Sequence, residues 1–373
     1  MKDNTTKVLI VTPLILPSVG GGAIYTKILT SGLIEKEYAD NVVVLTEKHP
    51  SCPSIEYKND AQIINLRYFP FRAGVKGKDL TKYVKYVYQN VQFFLIFYLI
   101  KKYDITHIII HSYFHNYPSI MDKIIYLLSK LSKIKLIADV RDPRLPKRRF
   151  KKLYYYDNII CCSENVYQRF EFDTNLKSKL TLIPIVIDIP KITHKDKINN
   201  VLSVYQLSGK RYLFNGSGID QKKGIHKALS VVEELRKYGE DISLVIAGKK
   251  RDWDTRCQKA SDSGILQYLG TLPHNDVLAL ATGSVMDINL SIVDSMPRHS
   301  LEALASGARA LFPYGIPEFE RTCHEYVAVS NNPVEIAVQI KKLINENNYC
   351  CKYDFKIHYK DNVLAQYAEL LSQ

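Results

Sequence analysis

Residues Ile288–Gly307 read INLSIVDSMPRHSLEALASG. The apolar residues Met286–Leu290 form an expected strand, a loop follows carrying Asp294, and the next segment has helical spacing. That helix would bury Leu301 and Leu304 and present Glu302, because residues three and four apart share a helix face. A strand that passes through a short loop into a helix is half of a crossover, the connection that parallel strands require. The fold that follows is a parallel α/β sheet. Open sheets of this kind bind ligands at the carboxyl ends of their strands, which is where Asp294 and Glu302 fall. The loop also ends at a helix N-terminus, around Arg298, His299 and Ser300, whose N–H groups and positive dipole end favour a phosphate. Carboxylates for sugar hydroxyls, beside a helix end for a diphosphate, fit a sugar-nucleotide ligand.

The same rhythm extends in both directions. Strands are expected at Lys7–Thr12, Val42–Thr46, Gln62–Leu66, Thr106–Ile110, Ile134–Ala138, Asn158–Cys162 and Leu180–Pro184. Several are continuous β-branched runs, as in a sheet covered on both faces. Ala23–Tyr38 places Ile24, Ile28, Leu29 and Leu33 on one helical stripe. Beyond Pro184 the text turns polar and weakly periodic, and a linker is expected within Asp188–Gly209. The rhythm then restarts with strand Arg211–Asn215, helix Ile225–Tyr238 and strand Ser243–Ala247. Strand Gln267–Leu269, helix Asp276–Ala281, strand Arg309–Phe312 and helices Val334–Ile344 and Val363–Leu371 follow. Two doubly wound, Rossmann-like domains facing a central cleft are expected: residues 1–190 and 205–352, with residues 353–373 as a helix packing back toward the first domain.

Composition agrees with this division. The chain has 373 residues, 46% hydrophobic and 24% charged, a globular balance and more than one average core. Its formal charge of +13 is unevenly placed: residues 1–190 hold 28 Lys+Arg against 17 Asp+Glu, and residues 191–373 hold 23 against 21. The first half therefore points to an anionic partner. The seven cysteines show no metal-ligand spacing and no disulfide framework, which fits a reducing cytoplasm. The longest apolar run, Val91–Ile100, is half the length of a bilayer span and reads as a buried or interfacial helix.

Several motifs carry a functional reading beside a plainer one. Gly20, Gly21 and Gly22 would let backbone approach a phosphate, or would merely shape a loop; a dinucleotide fingerprint fits poorly, because these glycines stand well beyond their strand. In Phe214–Gly224 (FNGSGIDQKKG), Gly216 lies at a strand end, and Lys222 and Lys223 at the next helix start. These lysines would neutralise a leaving diphosphate, or would be solvated. Arg141 and Asp142 follow a strand and read as sugar or acceptor contacts, or as a salt-bridged turn. His111 and His115 are weaker candidates for the same role. Arg144–Tyr156 (RLPKRRFKKLYYY) interleaves basic and aromatic residues, which suits an anionic membrane surface. No nucleic-acid module accompanies it, and nucleic acid is not expected as a partner.

Together these residues resemble the retaining GT-B glycosyltransferases of family 4, over nearly the whole chain and most strongly in Tyr212–Glu318. FNGSGIDQKKGI is similar to the strand–glycine–KG element of that family, SLVIAGK to its central strand, and YLGTLPHNDVLALATGSVMDINLS to the segment flanking the nucleotide base. DSMPRHSLEALASG resembles its E-x7-E motif, and YGIPEF its GxPE turn. In the first half, GGG and IICCSENVYQRF correspond to the glycine loop and to a strand followed by Ser-Glu. The first acid of E-x7-E is shortened to Asp294. Ser217 stands where an arginine is usual, a role Arg298 would take over, and Arg141 stands at a usual histidine position.

The resemblance implies transfer of a hexose-type sugar from a UDP- or GDP-sugar to a hydroxyl of a glycan or lipid-linked acceptor, with retention, in bacterial surface polysaccharide synthesis. Asp294, Glu302 and Lys223 would be catalytic. Gly216, Ser217, Lys222, Lys223, Arg298, His299, Ser300, Glu302, Gly21 and Gly22 would hold the donor; Arg141, Asp142 and His111 would face the acceptor. No cofactor and no metal is expected, and the protein would sit in the cytoplasm, peripheral to the inner face of the cell membrane through its basic first domain. Two alternatives stay open: a sugar-nucleotide epimerase or hydrolase of the same fold, and a catalytically silent nucleotide-sugar-binding partner.

Overall fold

A computed structural model describes residues 5–12, 21–47, 55–58, 61–66, 94–111, 119–142, 145, 150–187, 195–292, 294–346 and 352–373. The chain divides into two compact units, Met1–Val186 with Lys356–Gln373, and Ile187–Phe355. Both are Rossmann-like α/β units.

The first unit contains β1 (Lys7–Thr12), β2 (Asn41–Glu47), β3 (Ile55–Lys58), β4 (Ala61–Leu66), β5 (His107–His111), β6 (Lys135–Val140), β7 (Asn158–Cys161) and β8 (Leu180–Leu182). They form one sheet in the order β3-β4-β2-β1-β5-β6-β7-β8. Every pairing is parallel except β3 with β4. The central strands are apolar on both faces because helices cover both: Val8, Leu9, Ile10 and Val11 are all buried. Strand β3 has no counterpart in the sequence reading, since its I-E-Y-K pattern is short and half polar.

On one face of this sheet, Val8, Ile10, Val42, Val44, Ile109 and Ile137 share a core with Tyr25, Leu29 and Leu33 of helix Gly21–Glu35. Helix Lys360–Ser372 adds Val363, Leu364, Tyr367, Leu370 and Leu371 to the same cluster. The two helices pack so closely that a side chain at Gly32 would collide with Leu364.

The second unit holds β9 (Tyr212–Asn215), β10 (Ser243–Ile246), β11 (Leu266–Tyr268), β12 (Met286–Ile288) and β13 (Ala310–Leu311), in the all-parallel order β11-β10-β9-β12-β13. The range Asp188–Gly209, within which a linker is expected, is partly helical. Its residues 195–204 form helix Lys195–Val204, and Val201, Leu202 and Tyr205 pack against Tyr212, Leu280 and Ala281. The apolar stripe is narrow and the rest of the helix polar, which is why its periodicity reads weakly. Residues 188–194 lie outside the described residues.

Candidate active site

Each sheet reverses direction once. In the second, the chain runs β9, β10, β11 outward and then returns to place β12 on the other side of β9. Loops leaving the two sides of such a switch point diverge and open a crevice at the strand ends. The loops here are those after β9 and β12, and they carry the glycine–lysine element and the Asp294 segment.

The loop after β9 is shaped by local bonds. Asn215 Oδ1 accepts from the Ser217 amide at 2.8 Å, and Asp220 caps the short turn Gln221–Lys223 by accepting from the Lys222 amide at 2.8 Å. Gly224 closes the turn at φ +77°, against the carbonyl of Leu290. Any side chain at Gly224 would strike that carbonyl, so the glycine is what lets the two loops meet. The Ile292 amide then donates to the Lys222 carbonyl at 3.1 Å. The consequence is an ion pair: Lys223 Nζ lies 2.8 Å from Asp294 Oδ2, with the lysine about one-third exposed and the carboxylate largely buried. Lys222, by contrast, is exposed.

Gly216 lies against the His299 ring. A Cβ there would sit 2.5 Å from that ring, so the imidazole packs into the space the glycine leaves. His299 Nε2 lies 2.8 Å from Asp287 Oδ1, and Phe214 meets its ring edge-on at 5.7 Å. Burial works against the charge of His299. The Asp287 carboxylate outweighs it by attraction and hydrogen bonding, with help from Glu302, and the net shift is upward.

Glu302 is buried, 3% exposed. Helix Arg298–Ala305 starts after Pro297, which supplies no capping side chain. Inside its first turns Arg298 Nε donates to Glu302 Oε1 at 2.7 Å, one helical turn away. His274 Nε2 contacts Glu302 Oε2 at 2.9 Å. Burial opposes ionisation of Glu302, but the His274 hydrogen bond and the Arg298 charge prevail and hold its pKa below the usual value. Arg298, expected in the role of the arginine missing at Ser217, commits its Nε to Glu302. Ser217 is tied instead to Asn289, whose Nδ2 donates to its Oγ at 3.4 Å. Ser300 is fully buried.

The first sheet switches between β1 and β5, and a second polar cluster sits there. His111, at the end of β5, places Nδ1 3.0 Å from both Thr12 Oγ1 and Thr26 Oγ1. Its Nε2 is 3.6 Å from Asp139 Oδ2, at the end of β6. Arg141 Nε donates to the same Asp139 oxygen at 2.9 Å, and its guanidinium lies 3.4 Å above the Tyr25 ring. Tyr25 stacks on His111 and donates to Tyr367 Oη at 2.8 Å; Tyr367 in turn reaches Asp139 Oδ2 at 3.4 Å. Burial and the nearby Arg141 charge push the His111 pKa well down. Burial raises that of Asp139 although Arg141 opposes it.

Arg141 and His111 are thus brought together, while Asp142 lies half-buried beside them. Gly21 and Gly22 form the first helical turn after β1, where Gly22 O accepts from Thr26 Oγ1 at 3.0 Å, and are not part of a loop. Gly20 and His115 lie outside the described residues. So do Arg144 and the 146–149 stretch of the basic segment. Its remaining apolar residues turn inward: Leu153 and Tyr156 are buried, and Phe150 packs edge-on against Phe170 at 4.8 Å.

Sequence reasoning missed Asp287, His274, Asp139, Tyr25 and Tyr367. Asp287 and Asp139 had a readable signal, since an acid within an otherwise apolar strand (VMDIN, LIADV) implies a buried partner. Among the described residues no group of three or more His, Cys, Asp and Glu is placed to hold a metal ion. None of the described helices is long and apolar enough to cross a membrane.

Residues 203–355 match the family model for glycosyl transferases group 1, a stretch that falls within the second unit. The whole chain has the GT-B fold of several solved structures. A glycosyltransferase from Rickettsia africae is 15% identical with a TM-score of 0.68, over 99% of this chain and 98% of that one. Anabaena HepE in complex with UDP and glucose is 13% identical with a TM-score of 0.67, over 98% and 99%. Sucrose-phosphate synthase from Thermosynechococcus elongatus is 12% identical with a TM-score of 0.68, over 99% and 98%. A comparison with curated proteins finds no match. The family match thus lies within the second unit, and the enzyme class is glycosyltransferase.

Proposed function

We propose that this chain is a retaining, family 4 type enzyme that moves a hexose from a nucleotide-diphosphate sugar to a hydroxyl of a glycan or lipid-linked acceptor. The observation that carries this reading is the Lys223–Asp294 pair at the switch point of the second sheet, beside the start of helix Arg298–Ala305. A donor diphosphate would compete with Asp294 for the Lys223 ammonium. Drawing the lysine away would free the carboxylate to accept from the sugar hydroxyls, so donor binding would itself prepare the acid. Lys223 and the helix start would stabilise the departing diphosphate, which is where negative charge develops, while the sugar passes through an oxocarbenium-like state. Glu302, already bonded by Arg298 and His274, would meet the ribose hydroxyls only by rearranging those bonds. Catalysis would need no metal. The UDP held by Anabaena HepE supports a UDP-sugar as the first donor to test, with GDP-sugars beside it.

Arg141, Asp142 and His111 at the switch point of the first sheet would face the acceptor. The charge excess of residues 1–190 supports an anionic membrane surface as the working place; the cytoplasmic side and surface polysaccharide as the product follow from the family resemblance. The test is a panel of nucleotide sugars with purified protein. One donor should raise the unfolding temperature, by about 2.7 kcal/mol of linkage at 100-fold saturation, and should slowly release free sugar and nucleoside diphosphate. An altered sugar nucleotide would mark an epimerase, and stabilisation with no turnover a silent binding partner; either result overturns the transfer reading.

A further inference from the structure

The helix spanning residues 94–103 is amphipathic in an unusual sense. Its buried side is Ile96, Leu99 and Ile100. Its outer side, at positions i, i+3, i+4, i+7 and i+8, is Phe94, Phe97, Tyr98, Lys101 and Lys102. Phe94 is 70% and Tyr98 54% exposed, and both lysines are exposed. The Lys102 ammonium rests over the Tyr98 and Tyr103 rings, at 5.6 and 5.1 Å from their centroids. An outer helix face is ordinarily charged and polar; this one is aromatic with a basic end.

A second helix continues the pattern. Ser119–Ser132 exposes Leu127 and Leu131, the latter by 81%, next to exposed Lys130 and Lys133. The connections β4 to β5 and β5 to β6 both move the same way across the first sheet. Right-handed crossovers therefore put both helices on one face, opposite helix Gly21–Glu35, whose connection moves the other way. Strand alternation agrees: Leu9, Val11, Ile108 and Ile110 are buried and point away from the core that Gly21–Glu35 covers.

We propose that this face, formed by residues 94–103 and helix Ser119–Ser132, docks the first unit onto an anionic bilayer, with Phe97, Tyr98 and Leu131 entering the interface and Lys101, Lys102 and Lys133 at the headgroups. The proposal rests on the membrane reading given above and moves it from the Arg144–Tyr156 segment, whose described apolar residues are turned inward, to a different surface. Charge chooses the occupant. A net excess of 28 basic over 17 acidic residues in 1–190 attracts an acidic lipid surface, and aromatic–basic faces of this kind lie in the interfacial plane. A second copy of the chain would bring lysines of both copies against each other.

The experiment is flotation of the full chain with vesicles of phosphatidylglycerol in phosphatidylcholine, against phosphatidylcholine alone. Wild type should float with the anionic vesicles at low salt and be released at high salt. F97S/Y98S/L131S and, separately, K101E/K102E should each weaken partitioning by about tenfold or more, with unfolding midpoint and nucleotide binding unchanged. If wild type floats and both variants float equally well, this surface is wrong while the membrane reading stands. If wild type stays behind with every vesicle, both fall. Sedimentation velocity supplies the remaining outcome: a dimer in wild type that F97S/Y98S/L131S dissolves would make the face a self-interface and overturn the proposal.

Discussion

At the scale of the residue, the site is built from charges that already have partners. Glu302 is buried between Arg298 and His274, and removing one member of such a set leaves uncompensated charge. Glu302→Ala should therefore cost about 3–5 kcal/mol of stability and weaken donor binding, both read from thermal unfolding with and without nucleotide sugar. Asp294→Asn keeps the shape of a side chain that is the proposed orienting acid. Turnover should fall with donor affinity nearly kept, and unchanged steady-state kinetics would remove Asp294 from the mechanism. Gly216 tests a packing argument: Gly216→Ala should destabilise by about 1–3 kcal/mol, and the penalty should shrink in a His299→Ala background, because the clashing ring is then gone. His299 also gives a pH signature. Its pKa is raised in the folded state, so its pairing with Asp287 is fully stabilising below the ordinary imidazole value near 6.5 and is lost as pH rises through the raised one. Urea unfolding should show a stability gap between wild type and His299→Gln at about pH 6 that narrows by about pH 9.

At the scale of the element, legibility followed periodicity. Strands such as β1, β2 and β9 are dense β-branched or apolar runs, and both their type and their place were readable. Helix Lys195–Val204 was not, because its contacts come from Val201 and Leu202 in a polar segment, and tertiary packing overrides weak propensity. The site residues divide in the same way. Loop and helix-end positions such as Lys223, Asp294 and His299 declared themselves by spacing, whereas His274 and Tyr367 act across elements that sequence does not place side by side. Helix Lys360–Ser372 is the clearest case, since Tyr367 bridges Tyr25 and Asp139 and so holds the carboxylate that orients Arg141. Tyr367→Phe should cost about 1–3 kcal/mol and lower acceptor-side activity while leaving donor binding in the second unit intact, a split measurable by nucleotide-sugar titration beside turnover.

At the scale of the whole molecule, both sheets place their polar clusters where strand order reverses. This is why a reading that began with one strand–loop–helix segment extended to a two-unit architecture. Parallel topology dictates where a ligand goes before any particular residue does. What it does not dictate is which groups are spent on each other, and the bonding of Glu302 to Arg298 and His274 and the packing of His299 against Gly216 were not legible in the sequence. The return of residues 356–373 to the first unit has a further consequence, in time and not in space. On the ribosome, residues 1–186 emerge first, yet the core that Val363, Leu364 and Leu370 complete must wait for the entire second unit to be translated. At about 5–20 residues per second, the first sheet stands for many seconds with helix Gly21–Glu35 alone on that face and part of its apolar surface uncovered, which makes the nascent chain, more than the finished enzyme, the species exposed to aggregation.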